Sequence, residues 1–584
     1  HRAPALTARA PAPRLARPAA PLRDTPEGLL AEVPLFAELP EPLRGTLAAR
    51  CRVVSLAAPQ QLFGAGDAGN ALYVVKSGRL DVMGEPRGRA GEVMRTLGRG
   101  AVIGELALLS GRSRSATVRC RRDATLLELG REDLERLLRE EPSFTTALMS
   151  NLGRQLQDSG PVEPPARSGS KTVAVLSLGA ERPDLEAALL HECGTLTSAV
   201  LVHRGDLDTA AEDDGMGSAL ARALDAAEAG HELVLLSAGP LGAGEWAGAC
   251  IRQADRVLVL VDGTAAGSLP AGGDSVHGCD IALLNSAGNS GVQAALEELK
   301  PRVTHRIRAD AEQSEDLRRL ARRLAGQSVG LVLSGGGARS FAHIGVIEEL
   351  LAAGVAIDRV GAAGMGAFVG ALLARGLEAI EIDACCYDEW VRRQPLSDYG
   401  IPRVSLVRGR RVAKMLERTL PGVIEDLRRS FYCVASDIVT GEVVRLRRGA
   451  LARAVEASMC LPGVVPPVAI RDHLLVDGGV LDGIPISPML EEADGPIIVS
   501  DVTPHDAGSD AQDARPSQLG LIETVTRAVL LGGADASQRA RSRADLYISP
   551  APEAVGVREF HMLDRMRESG RRATLEALES SSSI

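Results

Sequence analysis

Three consecutive glycines, Gly335, Gly336 and Gly337, join the apolar run Val329-Gly-Leu-Val-Leu-Ser334 to the helical segment Phe341–Leu351. No other feature limits the chain as much. A strand that passes into a helix through residues without side chains leaves backbone N–H groups pointing at the strand end, where the helix dipole also favours negative charge. The junction therefore predicts an oxyanion hole or a phosphate cradle. A dinucleotide site is disfavoured, because Ser340 stands at the sixth motif position and Asp358 precedes the next strand instead of ending it.

A second strand, Ile357-Asp-Arg-Val-Gly-Ala-Ala363, turns at Gly364-Met-Gly366 into the helix Ala367–Ala374. Strand, sharp turn and helix form the nucleophile elbow of G-x-S-x-G hydrolases, which presents one side chain at the top of a sheet. Further on, Asp477-Gly-Gly479 follows the apolar run His473-Leu-Leu-Val476. Alone, Asp-Gly-Gly is a common turn. After a glycine-rich loop and an elbow, it predicts a general base for a hydroxyl nucleophile.

The order Gly-Gly-Gly-Ala-Arg, elbow, Ala457-Ser-Met-Cys-Leu-Pro-Gly-Val-Val-Pro-Pro467, Asp-Gly-Gly is similar to that of the patatin-like phospholipases, over roughly residues 329–505. Ala435-Ser-Asp-Ile-Val-Thr-Gly-Glu442 matches as well. The resemblance implies a Ser-Asp dyad without histidine, acting on a phospholipid or lysophospholipid. It makes Gly335, Gly336, Gly337 and Arg339 the oxyanion region and Asp477 the dyad carboxylate. The nucleophile position falls on Gly364, with lesser departures at Ala362 and Ser340. Glycine has no side chain to attack an ester, so the chain as written is not expected to form an acyl-enzyme. Two explanations stay open: an inactivated copy of a working esterase, or a natural pseudoenzyme that binds lipid or partners.

Toward the N-terminus, Gly104-Glu-Leu-Ala-Leu-Leu-Ser-Gly-Arg-Ser-Arg114-Ser-Ala-Thr-Val118 opens with a glycine turn and returns through an arginine into a strand. A cyclic phosphate needs a fixed cation and exposed N–H groups, and a ribose hydroxyl needs a carboxylate acceptor. Arg114 and Glu105 supply both. Over roughly residues 30–157 the chain resembles the cyclic-nucleotide-binding domains of catabolite activators and kinase regulatory subunits, which also covers Gly66–Gly78. The resemblance implies that Glu105 holds the ribose, Arg114 the cyclic phosphate, and Gly104 and Ser115 further contacts. Serine rather than threonine at 115 favours cAMP over cGMP as the allosteric ligand. The alternative is a barrel that keeps its shape without its ligand, with Arg114 one more solvated cation.

Between these regions, apolar strands (Thr172-Val-Ala-Val-Leu, Ala199-Val-Leu-Val, Glu232-Leu-Val-Leu-Leu, Arg256-Val-Leu-Val-Leu-Val) alternate with helical segments, the pattern of a parallel α/β layer. No GxxxxGK[ST] follows the first strand, which disfavours ATP. Together with Glu245–Asp255, the region resembles the spacer of neuropathy-target-esterase relatives.

A chain of 584 residues exceeds one hydrophobic core. The expected fold is multidomain α/β: a disordered tail (1–26), a β-barrel cyclic-nucleotide-binding domain (27–158), a linker (159–170), a Rossmann-like α/β spacer (171–325), a patatin-like α/β hydrolase-type domain (326–553) and a C-terminal helix and tail (554–584). A net charge of −10 gives no basic footprint for nucleic acid. Scattered cysteines without metal spacing, and no apolar run of about 18 residues, predict a metal-free cytoplasmic protein, with peripheral membrane contact open. Abundant Arg, Ala and Gly with scarce Lys suggest a bacterial genome. The amphipathic stretch Leu519–Leu531 is a candidate for docking on a membrane or for homodimerisation.

Overall fold

The computed structural model describes residues 25–37, 39–84, 92–104, 113–140, 172–207, 216–242, 244–262, 276, 278–284, 290–310, 312–400, 405–503, 533–550 and 555–580. Glu105 and the stretch 519–531 lie outside them. The chain divides into two compact units: residues 1–260, 265–280 and 297–300 form the first, and 261–264, 281–296 and 301–584 the second.

In the first unit, β1 (Arg52–Leu56), β2 (Gln61–Phe63), β3 (Ala71–Gly84), β4 (Glu92–Leu97), β5 (Val102–Ile103) and β6 (Thr117–Gly130) form an antiparallel barrel-like sheet in the order β1-β6-β3-β4. β2 pairs with β6 and β5 with β3. β6 alternates buried and exposed residues along most of its length, as a strand with one face on a core must. A helix over Pro26–Glu32, capped by the Thr25 hydroxyl accepting from the Gly28 N–H at 3.1 Å, packs Leu29 and Leu30 against Leu72 and Leu127.

β7 (Thr172–Leu178), β8 (Ala199–Val202), β9 (Leu233–Pro240) and β10 (Arg256–Val261) follow, ordered β10-β7-β9-β8. β7 and β8 both run parallel to β9, and every residue of β7 is buried, as expected of a strand covered on both faces. An ionic cluster joins this layer to the barrel. Arg122 of β6, 3% exposed, pairs with Glu228 at 2.6 Å and with Asp255. Arg79 reaches Glu228 at 2.7 Å.

The second unit opens with β11 (Asp280–Leu283) and β12 (Val303–Arg306) and then builds a mixed sheet from β13 (Val329–Leu333), β14 (Ile357–Ala363), β15 (Ser430–Asp437), β16 (Val443–Leu446), β17 (Val468–Ile470), β18 (His473–Asp477), β19 (Ile497–Ser500) and β20 (Leu546–Ile548). Its order is β17-β18-β15-β14-β13-β19-β20, with β16 on β15. β13 is parallel to both β14 and β19, so the order reverses at β13. Ligand crevices of open α/β sheets lie at the carboxyl ends of strands at such a switch point. The helix Gly364–Arg375 is buried along its length up to Ala374, and an all-apolar helix of this kind belongs in a core. The charged helix Leu563–Ser580 packs on Ala342–Ala352 through glycines. A Cβ at Gly570 would lie 1.9 Å from the Ala342 carbonyl oxygen, and one at Gly345 2.0 Å from that of Arg567.

Candidate functional site

Register assembles the site. Leu333 at the end of β13 is level with Ala362 of β14, Ala363 with Val434 of β15, and Ala435 with Asp477 of β18. The glycine loop, the elbow and the Asp477 carboxylate therefore meet at one end of the sheet. Gly364 has φ +54°, and a Cβ built on it would lie 3.3 Å from Oδ1 and 3.5 Å from Oδ2 of Asp477. At Gly366 a Cβ would come within 2.5 Å of the Ser334 carbonyl oxygen, so the helix start can approach β13 only with glycine there.

The Gly364 N–H donates to Ser458 Oγ at 3.2 Å, and Ser458 donates in turn to the Val434 carbonyl at 2.7 Å. This relay occupies one of the orphan amides of a helix start and holds the elbow in place. Asp477 Oδ1 accepts the Gly479 N–H at 2.7 Å. Burial pushes its carboxyl up to about 6, an effect the Gly479 bond partly opposes. A carboxylate tuned toward neutrality suits a proton acceptor working near pH 7.

The glycine loop divides its amides. Gly335 N–H donates to the Gly483 carbonyl at 3.2 Å, whereas those of Gly336 and Gly337 meet no partner among the described residues. Gly337 has φ +60°, and a Cβ there would fall 2.3 Å from the Val557 carbonyl oxygen. The Arg339 guanidinium turns to the Val555 carbonyl, Nε donating at 2.7 Å, a bond that ties that segment to the loop. Ser340 is fully buried, and its Oγ has no partner among the described residues.

These groups border a cavity with about 140 Å³ open to water-sized centres. Gly335, Gly336, Gly337, Asp477 and Gly479 line one part, and Met365, Trp390, Leu396, Val412, Val464, Val465, Ile484 and Phe560 line much of the rest. Only 2% of the chain is aromatic, yet Phe341, Phe368, Trp390 and Phe560 pack together here, with Trp390 stacked on Phe560 at 5.0 Å. Trp390 and Phe560 face the cavity, and Phe341 and Phe368 pack behind them in the core, which gives the cavity one rigid apolar wall. His343 is no base for this site. Its Nε2 faces the Ser334 carbonyl at 2.9 Å and its Nδ1 the Ser500 hydroxyl at 2.8 Å. Since a carbonyl only accepts, Nε2 carries the proton, and burial lowers the imidazole to about 4, keeping it neutral.

In the first unit, Arg114 is 5% exposed, so it is not a solvated cation. It donates from Nη1 to the Gly104 carbonyl at 2.9 Å and from Nη2 to that of Ala71 at 2.8 Å, and its guanidinium lies 4.1 Å from the centroid of the Phe63 ring. A Cβ at Gly104, where φ is +87°, would fall 2.1 Å from Nη1. Ser115, next in the chain, is exposed.

Sequence reasoning missed Ser458, the Val555–Val557 segment and Phe63. Ser458 lies within a motif noted for its resemblance, so a signal existed without a role attached. The other two carry no local signature.

Residues 331–490 match the model of the patatin-like phospholipases, and residues 26–141 that of the cyclic nucleotide-binding domain. An uncharacterized NTE family protein of Mycobacterium tuberculosis is 32% identical over 573 residues, covering 94% of this chain and 96% of that protein. A lysophospholipase NTE1 of Coccidioides immitis is 26% identical over 626 residues, covering 88% of this chain and 40% of that protein. Among solved structures, the N-terminal domain of a transcriptional regulator from Streptomyces coelicolor matches 24% of this chain and 99% of its own, with 31% identity and a TM-score of 0.21. With a patatin-like phospholipase domain, an N-terminal cyclic nucleotide-binding domain and a relative matched along nearly its whole length, the chain belongs to the NTE family.

Proposed function

We propose that the second unit is the frame of a Ser-Asp lysophospholipase, answering to cAMP bound in the first unit, and that with glycine at 364 it holds lipid without forming an acyl-enzyme. The observation that carries this reading is the 3.3 Å between a Cβ at 364 and Asp477 Oδ1 at the edge of an apolar cavity. A serine hydroxyl placed there meets a base, and the Gly336 and Gly337 amides stand ready for a developing oxyanion. The protein works in the cytoplasm and meets its lipid at a membrane surface. Among the described residues no helix is long and apolar enough to cross a membrane.

The test is Gly364→Ser. It restores hydrolysis of a short-chain nitrophenyl ester and of a lysophospholipid, and a fluorophosphonate probe labels residue 364. Adding Asp477→Asn returns the rate toward background, because nucleophile and base act as a unit. A second reading, a natural binding protein without catalysis, is favoured by the φ of +54° at Gly364, a conformation that glycine takes without steric penalty. If Gly364→Ser folds yet neither labels nor hydrolyses any ester, that second reading stands.

A further inference from the structure

We propose that Arg558 reads the phosphate of the lipid head group and so determines that the cavity takes a phospholipid in preference to a neutral acylglycerol. The inference rests on the lipid-binding reading above and adds to it the residue that selects the substrate.

The charges lining the cavity are few. Asp477 and Glu456 are its acidic residues, and Arg558 is the one cation among the described residues that line it. Glu456 is already paired with Arg453 at 2.5 Å. Arg558 is exposed and forms no ion pair with a described residue. Among the described residues its guanidinium donates from Nη2 to the Tyr399 hydroxyl at 3.3 Å. Tyr399 is itself 61% exposed, so a guanidinium and a phenol stand together at the solvent side of an apolar cavity.

The backbone that carries Arg558 is tied to the glycine loop. Ala338 N–H donates to the Val557 carbonyl at 2.9 Å and Arg339 Nε to the Val555 carbonyl at 2.7 Å. Gly337 permits the approach, since a Cβ there would be 2.3 Å from that Val557 oxygen. On the other side, Phe560 is held by Trp390 and by Phe341, at 5.0 and 5.9 Å. Both flanks of Arg558 are thereby fixed to the groups that would meet the ester carbonyl and the acyl chain.

A lysophospholipid has its phosphodiester a short glycerol away from its ester. With the chain in the apolar cavity and the ester at the loop, the phosphodiester is carried outward to the rim. It is anionic at all physiological pH values, and a guanidinium donates to two of its oxygens at once. A monoacylglycerol of the same chain length offers no such group. Because Arg558 is solvated, the discrimination is modest, about tenfold, in line with charge-assisted bonds that compete with water.

The experiment uses the full chain as it stands, with Gly364, so that no lipid is consumed. Calorimetry compares lauroyl-lysophosphatidylcholine with monolauroylglycerol, both below their micellar concentrations, for the unmutated protein, Arg558→Gln and Arg558→Lys. Glycerophosphocholine and inorganic phosphate, added as competitors, separate a seat for the whole lipid from one for the free anion. The unmutated chain prefers the phosphate-bearing lipid by about tenfold. Arg558→Gln removes that preference by weakening lysophosphatidylcholine alone, Arg558→Lys retains part of it, and neither competitor displaces the lipid at equal concentration. Equal affinity of the unmutated chain for both lipids overturns the inference and leaves the lipid-binding reading intact, as does an Arg558→Gln effect that is the same on both. Displacement by free phosphate at equal concentration overturns it in favour of a plain anion site. Failure of the unmutated chain to bind either lipid overturns the lipid-binding reading and this inference together.

Discussion

A Cβ at Gly364 would stand 3.3 Å from Oδ1 of Asp477, while the Gly364 N–H donates to Ser458 Oγ on the other side. The position that offers no side chain is thus held as firmly as one that does, and its φ of +54° is a conformation in which glycine carries no steric penalty.

Gly364→Ser is therefore expected to lower stability even as it restores chemistry. A non-glycine residue held in the left-handed region costs about 1–2 kcal/mol, and the new Cβ would also sit 3.2 Å from Gly335 Cα. Denaturant unfolding of the second unit should show a lower midpoint with an unchanged slope. An unchanged midpoint would mean that the elbow relaxes out of this conformation.

Asp477 gives a pH signature. Its folded carboxyl is raised to about 6 from 3.8, so its contribution to stability is full below about pH 4 and is lost as pH rises through 6. Asp477→Asn should raise the unfolding midpoint at pH 8 and leave it unchanged at pH 4. In the Gly364→Ser protein, hydrolysis should rise with pH through about 6 to a plateau, since the base must be ionised to accept the proton.

Arg114→Ala should weaken cAMP binding measured by calorimetry by about 30-fold or more, as expected for a lost charge-assisted contact of about 2 kcal/mol. Arg114→Lys keeps the charge but not the fork that reaches the Gly104 and Ala71 carbonyls, and should recover only part of the affinity. Absence of binding by the unmutated chain at millimolar cAMP would show that the barrel has kept its shape without its ligand.

The ionic cluster between barrel and spacer layer makes the first unit acid-sensitive. Glu228 is lowered to about 2 from 4.5; desolvation opposes this shift, and the Arg122 charge and the Thr172 and arginine hydrogen bonds outweigh it. Its stabilisation is present above pH 4.5 and lost as pH falls toward 2. Removing Arg122 would leave the buried Glu228 with Arg79 alone and Asp255 with Arg121 at 3.5 Å, and should cost up to about 3 kcal/mol, the low end for breaking a buried pair. Urea titrations of Arg122→Ala against Glu228→Gln at pH 7 and pH 3 check this, with the Glu228→Gln penalty shrinking at pH 3.

The elbow, the glycine loop and the Asp-Gly-Gly turn were legible because each is a local transition: an apolar run of strand period ends in residues without side chains, and a helix or turn follows within a few positions. The same holds for the alternating strands of the spacer layer. Ser458 was not legible as the anchor of the elbow, because its partner lies 94 residues away. Nor was the tie between Arg339 and Val555, across 216 residues. Such pairs depend on sheet register and on helix docking, which periodicity does not encode.

The sequence by itself determined the chemistry available to this protein: a glycine loop, an elbow, one carboxylate, an arginine cassette, and no hydroxyl at 364. Local backbone preference is enough for that, since glycine alone tolerates these turns and only particular side chains can act as base or cation. Tertiary structure decided which of these groups meet. The register of β14, β15 and β18 brings Asp477 to Gly364, and the docking of the Val555–Phe560 segment on Ala338 and Trp390 brings Arg558 to the rim of the same cavity. Those encounters arise from burying apolar faces against one another, a property of the whole unit that no single stretch of the chain contains.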